Sequence, residues 1–120
     1  MLKNPTSVLL VARRSQNRET DAEVIGFLAG WTVSDELHVN NIAAHPRFRR
    51  MGIGKRLMQA AIEIAIPCGV RSVVLEVRAS NMSAQSLYSK LGFRFVARRR
   101  DYYRFPTDDS MVMKLEIEEG

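Results

Sequence analysis

The chain has very little cysteine, and this scarcity excludes several kinds of structural and functional site. Cys68 is the only cysteine among 120 residues, and there are two histidines, His38 and His45. A single cysteine excludes an intrachain disulfide and a cysteine-based metal cage. The two histidines lack the spacing of a helical metal pair, and none is close enough in sequence to activate the Cys68 thiol. We therefore expect no metal and no covalent acyl-enzyme.

Long apolar stretches are also absent. The longest run, VLLVA at residues 8–12, is much shorter than the roughly 20 residues of a membrane span. No series of charged, apolar and small residues marks a signal peptide. We expect a cytoplasmic protein without a membrane partner. The size and the 46% hydrophobic content predict a single domain over residues 1–120.

Acidic residues are outnumbered by basic ones. There are 18 Lys and Arg against 13 Asp and Glu, which gives a formal charge of +5. This excess favours acidic partners such as nucleotides, RNA or ribosomal surfaces, and charge alone does not choose among them. The aromatic-rich strands that mark RNA-binding modules are missing, so we expect no specific nucleic acid partner.

The most informative stretch is the basic, glycine-containing start of a predicted helix, R-R-M-G-I-G-K-R at residues 49–56. Cations in the first turn oppose the helix dipole by roughly 0.3–1 kcal/mol each, and a bound phosphate would reverse that sign. Gly52 and Gly54 lack the Cβ atoms that would keep a ligand away from the free N–H groups. The pattern indicates a pyrophosphate site, and a solvated basic turn is the alternative.

Hydrophobic periodicity predicts an α/β fold, in which helices pack on a mixed β-sheet. It begins with a buried strand, a hairpin loop at residues 16–23 and a second strand. A third strand, a helix and a central strand covered on both faces follow, then a helix capped by Ser80 or Asn81 and ended by Gly92, and two antiparallel strands. The predicted strands cover residues 7–14, 24–33, 37–44, 70–78, 93–98 and 111–117, and the first helix covers residues 53–65.

Two departures from regular patterning suggest functional sites. In the third strand, Leu37 and Val39 share one face, whereas strict alternation puts Ile42 and Ala44 on the other. A β-bulge between the two pairs is therefore predicted, and bulges bend strands near functional sites. Residues 101–110 are predicted to form a loop that is long for a hairpin and rich in aromatic residues, which is typical of a binding surface.

The order of these motifs resembles the Gcn5-related N-acetyltransferase superfamily over residues 24–117. The bulged strand is followed by R-R-M-G-I-G, by L-E-V-R-A-S-N at residues 75–81 and by S-L-Y-S-K-L-G-F at residues 86–93. The family motif Q/R-x-x-G-x-G/A is matched by Arg49, Gly52 and Gly54. With R-R-x-Y-Y at residues 99–103, the chain looks most like the ribosomal-protein-alanine acetyltransferases, which modify a protein N-terminus.

This resemblance implies acetyl-coenzyme A as the cosubstrate. The third strand would pair with its pantetheine arm, and the helix start would wrap its pyrophosphate. The implied contacts are Ile42, Ala43, Ala44, Arg49, Arg50, Met51, Gly52, Ile53, Gly54, Lys55, Asn81 and Tyr88. The resemblance also makes Glu76 the general base and Tyr88 the general acid. Tyr102 and Tyr103 would clasp the incoming peptide, or would simply pack at the hairpin tip.

Glu76 and Tyr88 suit these roles chemically, although each has a structural alternative. An α-amino group with a pKa of about 7.7–8.0 is mostly protonated at neutral pH, so acetyl transfer needs a base. Glu76 could take that proton through a water, or it could be a strand-end charge paired with an arginine. Tyr88 could protonate the departing thiolate, or it could pack its ring on the core. A bulge N–H within residues 39–42 could stabilise the thioester oxygen.

The resemblance also predicts a shortened N-terminus. Family members carry a strand and two helices before the strand matched by residues 7–14, where this chain has six residues, and that element walls the acceptor site. We expect direct acetyl transfer to the α-amino group of a protein N-terminus. The alternatives are transfer to lysine or a small amine, and a coenzyme-A-binding module without turnover. An open sheet edge would favour a homodimer.

Overall fold

The computed structural model describes residues 6–14, 23–48 and 52–117, which form one six-stranded sheet and two α-helices. The strand order is β1-β2-β3-β4-β6-β5, with β3 and β4 parallel and the other pairs antiparallel. The predicted α/β fold with a mixed sheet is confirmed. The elements are β1 (Thr6–Arg14), β2 (Glu23–Val33), β3 (Glu36–Ala44), α1 (Ile53–Ala65), β4 (Ser72–Arg78), α2 (Met82–Lys90), β5 (Arg94–Tyr103) and β6 (Asp108–Glu116). Residues 16–22 of the predicted hairpin loop lie outside the described residues.

The core lies on one face of the sheet, under both helices. The buried residues of α1 recur every three or four positions, so they form one stripe. They join buried side chains of the central strands and of α2 in one cluster that includes Leu28, Leu37, Val73 and Tyr88. The opposite face of the sheet has no helix over it among the described residues.

This one-sided cover corrects two predictions. β1 was expected to be buried, but it is an edge strand in which Leu9 is 67% exposed and Val8 and Leu10 are half-buried. β4 was expected to be covered on both faces, but Glu76 and Arg78 on its second face are partly exposed. Apolar runs do not distinguish these cases, because an edge strand and a buried strand can carry the same residues.

The predicted bulge in β3 is confirmed. Ala29 of β2 pairs with Asn41 and the next residue, Gly30, pairs with Val39, so Asn40 is the additional residue. The slip returns Ile42 to the same side as Val39. A Cβ on Gly30 would lie 2.4 Å from the His38 carbonyl oxygen, so the close approach of the two strands at the bulge requires glycine here.

The predicted loop at residues 101–110 is wrong. β5 continues to Tyr103 and β6 begins at Asp108, so the turn contains only residues 104–107. A shift of register lies between Arg99, which pairs with Ser110, and Tyr103, which pairs with Asp108. Asp101 adopts a φ of 50° within this shift. The irregularity breaks the alternation of the sequence, and a strand with broken alternation has the pattern of a loop.

Candidate functional site

The sheet opens between β3 and β4. The two strands pair only from Glu36 with Ser72 to Val39 with Leu75, although β3 continues to Ala44 and β4 to Arg78. The bulge at Asn40 comes directly after the last pair and bends β3 away from β4. A cavity of about 290 Å³ lies in this opening, and we call this cavity the junction.

A cleft of about 620 Å³ extends from the junction on the helix side of the sheet. It brings together nine of the predicted cosubstrate residues, and the two cavities share Ile42, Asn81, Ala84 and Tyr88. The other three predicted residues, Arg49, Arg50 and Met51, lie outside the described residues. The nine that line the cleft are Ile42, Ala43, Ala44, Gly52, Ile53, Gly54, Lys55, Asn81 and Tyr88.

The start of α1 fits a phosphate group. Gly52 is the N-cap, with a φ of 76° that favours glycine, and a Cβ built on it would have no atom within 4 Å. A Cβ on Gly54 would lie 3.7 Å from Leu87 Cδ2, an ordinary contact. Because the first N–H groups of a helix have no internal partner, they can donate to an anion in the cleft. Lys55 adds a positive charge at the same wall.

The start of α2 forms the facing wall. Asn81 is the N-cap, as one of the two predictions had it, and its side-chain oxygen accepts from the N–H of Ala84 at 3.1 Å. Gly92 follows the end of the helix with a φ of 104°, as predicted. These two residues set the length of α2 and therefore the position of Tyr88 in its last turn.

Tyr88 lies where the cleft meets the junction. Its side chain is 4% exposed, and its ring contacts that of Phe93 edge to face, with 5.6 Å between centroids. Burial raises the pKa of Tyr88 to about 12, so the phenol stays protonated across the neutral range. Packing of the ring on the core was the structural alternative to a catalytic role for Tyr88. Tyr88 does pack in this way, and it also lines the cleft.

A groove of about 750 Å³ lies on the other face of the sheet and contains Glu76. Trp31 and His38 line the groove on the β2 and β3 side, and Tyr102 and Tyr103 line it on the β5 side. Glu76 and Tyr103 line the junction as well. The junction thus shares lining residues with the cleft on one face of the sheet and with the groove on the other, so the three cavities adjoin.

Glu76 is paired with an arginine. Its Oε1 accepts from Nη1 of Arg99 at 2.7 Å, and the Glu76 side chain is 25% exposed. This hydrogen bond raises the pKa of the Arg99 guanidinium. An ion pair with an arginine was the structural alternative to a catalytic role for Glu76. The structure contains this pair, and it also places Glu76 at the junction.

The two predicted acceptor residues differ in position. Tyr103 lines both the junction and the groove, whereas Tyr102 lines the groove and is more exposed. Their rings contact edge to face at 5.1 Å. Each ring lies under an arginine: Arg99 over Tyr102 at 4.6 Å and Arg78 over Tyr103 at 4.4 Å. Burial raises the pKa of Tyr103.

Sequence reasoning missed Arg99 and Trp31 as lining residues of the groove. Arg99 was included only in the R-R-x-Y-Y motif at residues 99–103, and its neighbour Arg98 pairs with Asp109 at 2.6 Å instead of with Glu76. Alternation puts Arg98 and Arg99 on opposite faces of β5, so a correct register for β5 would have indicated which of the two approaches Glu76.

Other chemistry is not indicated in the part of the chain that the structure describes. It contains no group of three His, Cys, Asp or Glu side chains placed to hold a metal. None of its helices is long and apolar enough to cross a membrane. The Cys68 thiol is exposed in a 3₁₀ turn after α1.

A bulged strand splayed from its parallel neighbour, with a glycine-containing helix start at the opening, defines the acetyltransferase class of fold. The chain matches the model of the Acetyltransferase (GNAT) family over residues 2–93, and it belongs to that family. A ribosomal protein bS18-alanine N-acetyltransferase of Salmonella typhimurium is 40% identical over 101 residues, which are 81% of this chain and 67% of the relative.

Solved structures agree with this assignment. The ribosomal-protein-S18-alanine N-acetyltransferase of Escherichia coli aligns with a TM-score of 0.78 and 34% identity, over 93% of this chain and 71% of the other. A GNAT family acetyltransferase of Elizabethkingia anophelis with acetyl-CoA bound aligns with a TM-score of 0.75 over 81% of this chain and 71% of the other. At 23% identity, that second likeness shows the fold alone.

Proposed function

We propose that the chain transfers the acetyl group of acetyl-coenzyme A to the α-amino group of a protein N-terminus, such as that of a ribosomal protein. The observation that carries this proposal is that the cleft and the Glu76 groove each share lining residues with the junction. A cosubstrate and an acceptor can approach the junction from opposite faces of the sheet. The names of the relatives support the choice of acceptor.

The cleft is proposed to hold acetyl-coenzyme A, which supplies an activated acetyl thioester. The free edge of β3 at Ile42, Ala43 and Ala44 offers backbone groups to an extended chain, because pairing with β4 has ended. The start of α1 would contact the phosphates, and Arg49, Arg50 and Met51 are proposed to contact them as well. Asn81 and Tyr88 would contact the thioester end.

Glu76 is proposed as the general base for the acceptor amine. It is the acidic side chain that lines both the junction and the groove. A protonated α-amine must lose a proton before it can attack, and a carboxylate can accept that proton directly or through one water. Tyr102 and Tyr103 would contact the peptide in the groove.

Tyr88 is proposed as the donor to the departing sulfur. The coenzyme A thiol, like that of cysteine, has a pKa of about 8.5, well below the value of about 12 for Tyr88. Complete proton transfer from Tyr88 is therefore uphill. We infer that Tyr88 stabilises the thiolate mainly by donating a hydrogen bond, and that solvent supplies the final proton.

A peptide panel tests the acceptor. Peptides that differ only in the first residue are incubated with acetyl-coenzyme A, and thiol release is measured, with polyamines as the comparison. Turnover is expected with peptides beginning with Ala or Ser. Turnover with polyamines alone would favour the small-amine alternative, and absence of acetyl-coenzyme A binding would exclude the proposed class of activity.

Two variants test the mechanism in the same assay. Glu76→Gln and Tyr88→Phe are expected to lower kcat by about 10² or more, with acetyl-coenzyme A affinity retained in calorimetry. Unchanged kcat in both variants would contradict the assigned roles. A chain that binds acetyl-coenzyme A and never turns over would be the binding module.

We also propose where the protein acts and what it does not bind. We expect it to act in the cytoplasm, without a specific nucleic acid or membrane partner. Homodimer formation stays a prediction, and light scattering over a range of concentrations measures it directly.

A further inference from the structure

We propose that Arg99 is a positioning residue for Glu76, whose carboxylate it holds in one orientation through a side chain that crosses β6. This inference rests on the proposed function, in which Glu76 receives the proton of the acceptor. The Arg99 Nη1 to Glu76 Oε1 distance of 2.7 Å is the primary observation.

The sheet register explains why a long side chain is needed. Glu76 lies on β4 and Arg99 on β5, and β6 separates the two strands. Ser110 of β6 pairs with Arg99 on one side and with Arg78 on the other. Two strand spacings are about 10 Å, a distance that arginine or lysine can bridge and shorter side chains cannot.

A second contact fixes the guanidinium of Arg99. It lies 4.6 Å from the ring centroid of Tyr102. The register shift after Arg99, with Asp101 at a φ of 50°, turns the chain so that the Tyr102 ring lies beneath the Arg99 guanidinium. The Asp101 N–H donates to Asp109 Oδ1 at 2.8 Å and fixes that turn. Arg99 is thus held at two points.

Stability alone does not account for this arrangement. An ion pair as exposed as this one contributes little to folding, and the Arg99 side chain is 54% exposed. A glutamate without a partner samples several rotamers. Since a base must lie within hydrogen-bond reach of the proton it takes, a small rotamer bias at Glu76 affects the rate more than it affects folding.

The other arginine near Glu76 is not a substitute. Arg78 donates to the Pro106 carbonyl oxygen at 2.9 Å and lies over Tyr103. It therefore ties the hairpin turn to β4. Arg98, next to Arg99, pairs with Asp109 and does not line the groove.

The test compares Arg99→Gln with Arg98→Gln, a matched control whose side chain is 53% exposed and also in an ion pair. We expect Arg99→Gln to lower kcat on the order of tenfold, with the KM for peptide and the affinity for acetyl-coenzyme A changed less than twofold. Arg99→Lys, which keeps a cation within reach, should recover part of the loss. Arg98→Gln should resemble the wild type.

A double variant tests whether Arg99 acts through Glu76. If it does, Arg99→Gln combined with Glu76→Gln is no slower than Glu76→Gln alone. Additive losses, or a raised peptide KM with unchanged kcat in Arg99→Gln, would overturn the proposal. An effect of Glu76→Gln with none of Arg99→Gln would remove this inference and leave the proposed function intact. A wild-type chain without turnover would overturn both.

Discussion

Tyr88 combines a packing role and a chemical one in a single side chain. Its ring contacts Phe93 within the core, and its position borders the cleft and the junction. Burial both holds the ring and raises the pKa of the phenol to about 12. The same property keeps Tyr88 a hydrogen-bond donor at every pH at which the protein would work.

The raised pKa of Tyr88 predicts a loss of stability at high pH. In the unfolded chain a tyrosine loses its proton near 10, whereas folded Tyr88 keeps it up to about 12. Above pH 10 unfolding therefore releases a proton, and this group lowers the free energy of unfolding by up to about 1.4 kcal/mol per pH unit.

Urea unfolding at pH 9 and pH 11 measures this effect. The decrease between the two values should be smaller in Tyr88→Phe than in the wild type, because the variant has no phenol at this position. Equal decreases in the two proteins would show that Tyr88 is not titrating as its burial requires.

At the scale of elements, the start of α1 contains two glycines with different requirements. Gly52 needs glycine because its φ is 76°, whereas Gly54 has an ordinary backbone and space for a Cβ. The two glycines of the motif therefore have different structural roles. Gly52 shapes the backbone, whereas Gly54 lines the cleft at a position where the backbone does not require glycine.

Alanine at each position distinguishes these roles. Gly52→Ala should lower the free energy of unfolding by about 1–2 kcal/mol through backbone strain. Gly54→Ala should leave stability near that of the wild type or higher, since alanine is the better helix former. Denaturant unfolding measures both, and a larger loss in Gly54→Ala would contradict this account.

Element prediction from sequence succeeded where local chemistry dictates the structure. Asn81 caps α2 because its side chain can accept from an N–H three residues on, and Gly92 ends the helix because it adopts a positive φ. The bulge was visible because Leu37, Val39, Ile42 and Ala44 all needed the same face. These signals depend on residues close together in the chain.

Prediction failed where distant strands decide the outcome. The exposure of β1 depends on what covers the second face of the sheet, and no local pattern contains that information. The extension of β5 to Tyr103 depends on its register with β6. The Arg99 to Glu76 pair joins residues 23 positions apart across an intervening strand, so only the assembled sheet indicates it.

At the scale of the whole molecule, charge and topology act together. The net charge of +5 favours an anionic cosubstrate, and β3 and β4 separate where the cleft and the groove adjoin. Lys55 and the free N–H groups of α1 concentrate positive potential at the wall of the cleft.

Acetyl-coenzyme A binding is therefore predicted to weaken with salt. Raising the salt concentration from about 0.05 M to 0.5 M shortens the screening length several-fold, and we expect the calorimetric Kd to rise several-fold. Acetyl-pantetheine, which lacks the phosphates, should show little change. A salt-independent Kd for acetyl-coenzyme A would argue against phosphate binding at α1.

The most direct test of the central claim is the location of the acetyl group on a product peptide. A peptide that begins with Ala and contains an internal Lys is incubated with the protein and acetyl-coenzyme A, and fragment masses locate the added acetyl. We expect acetylation of the α-amino group, and on the order of 10² less of it with Glu76→Gln. Acetyl found on the lysine, or equal α-amino acetylation by the variant, would contradict this expectation.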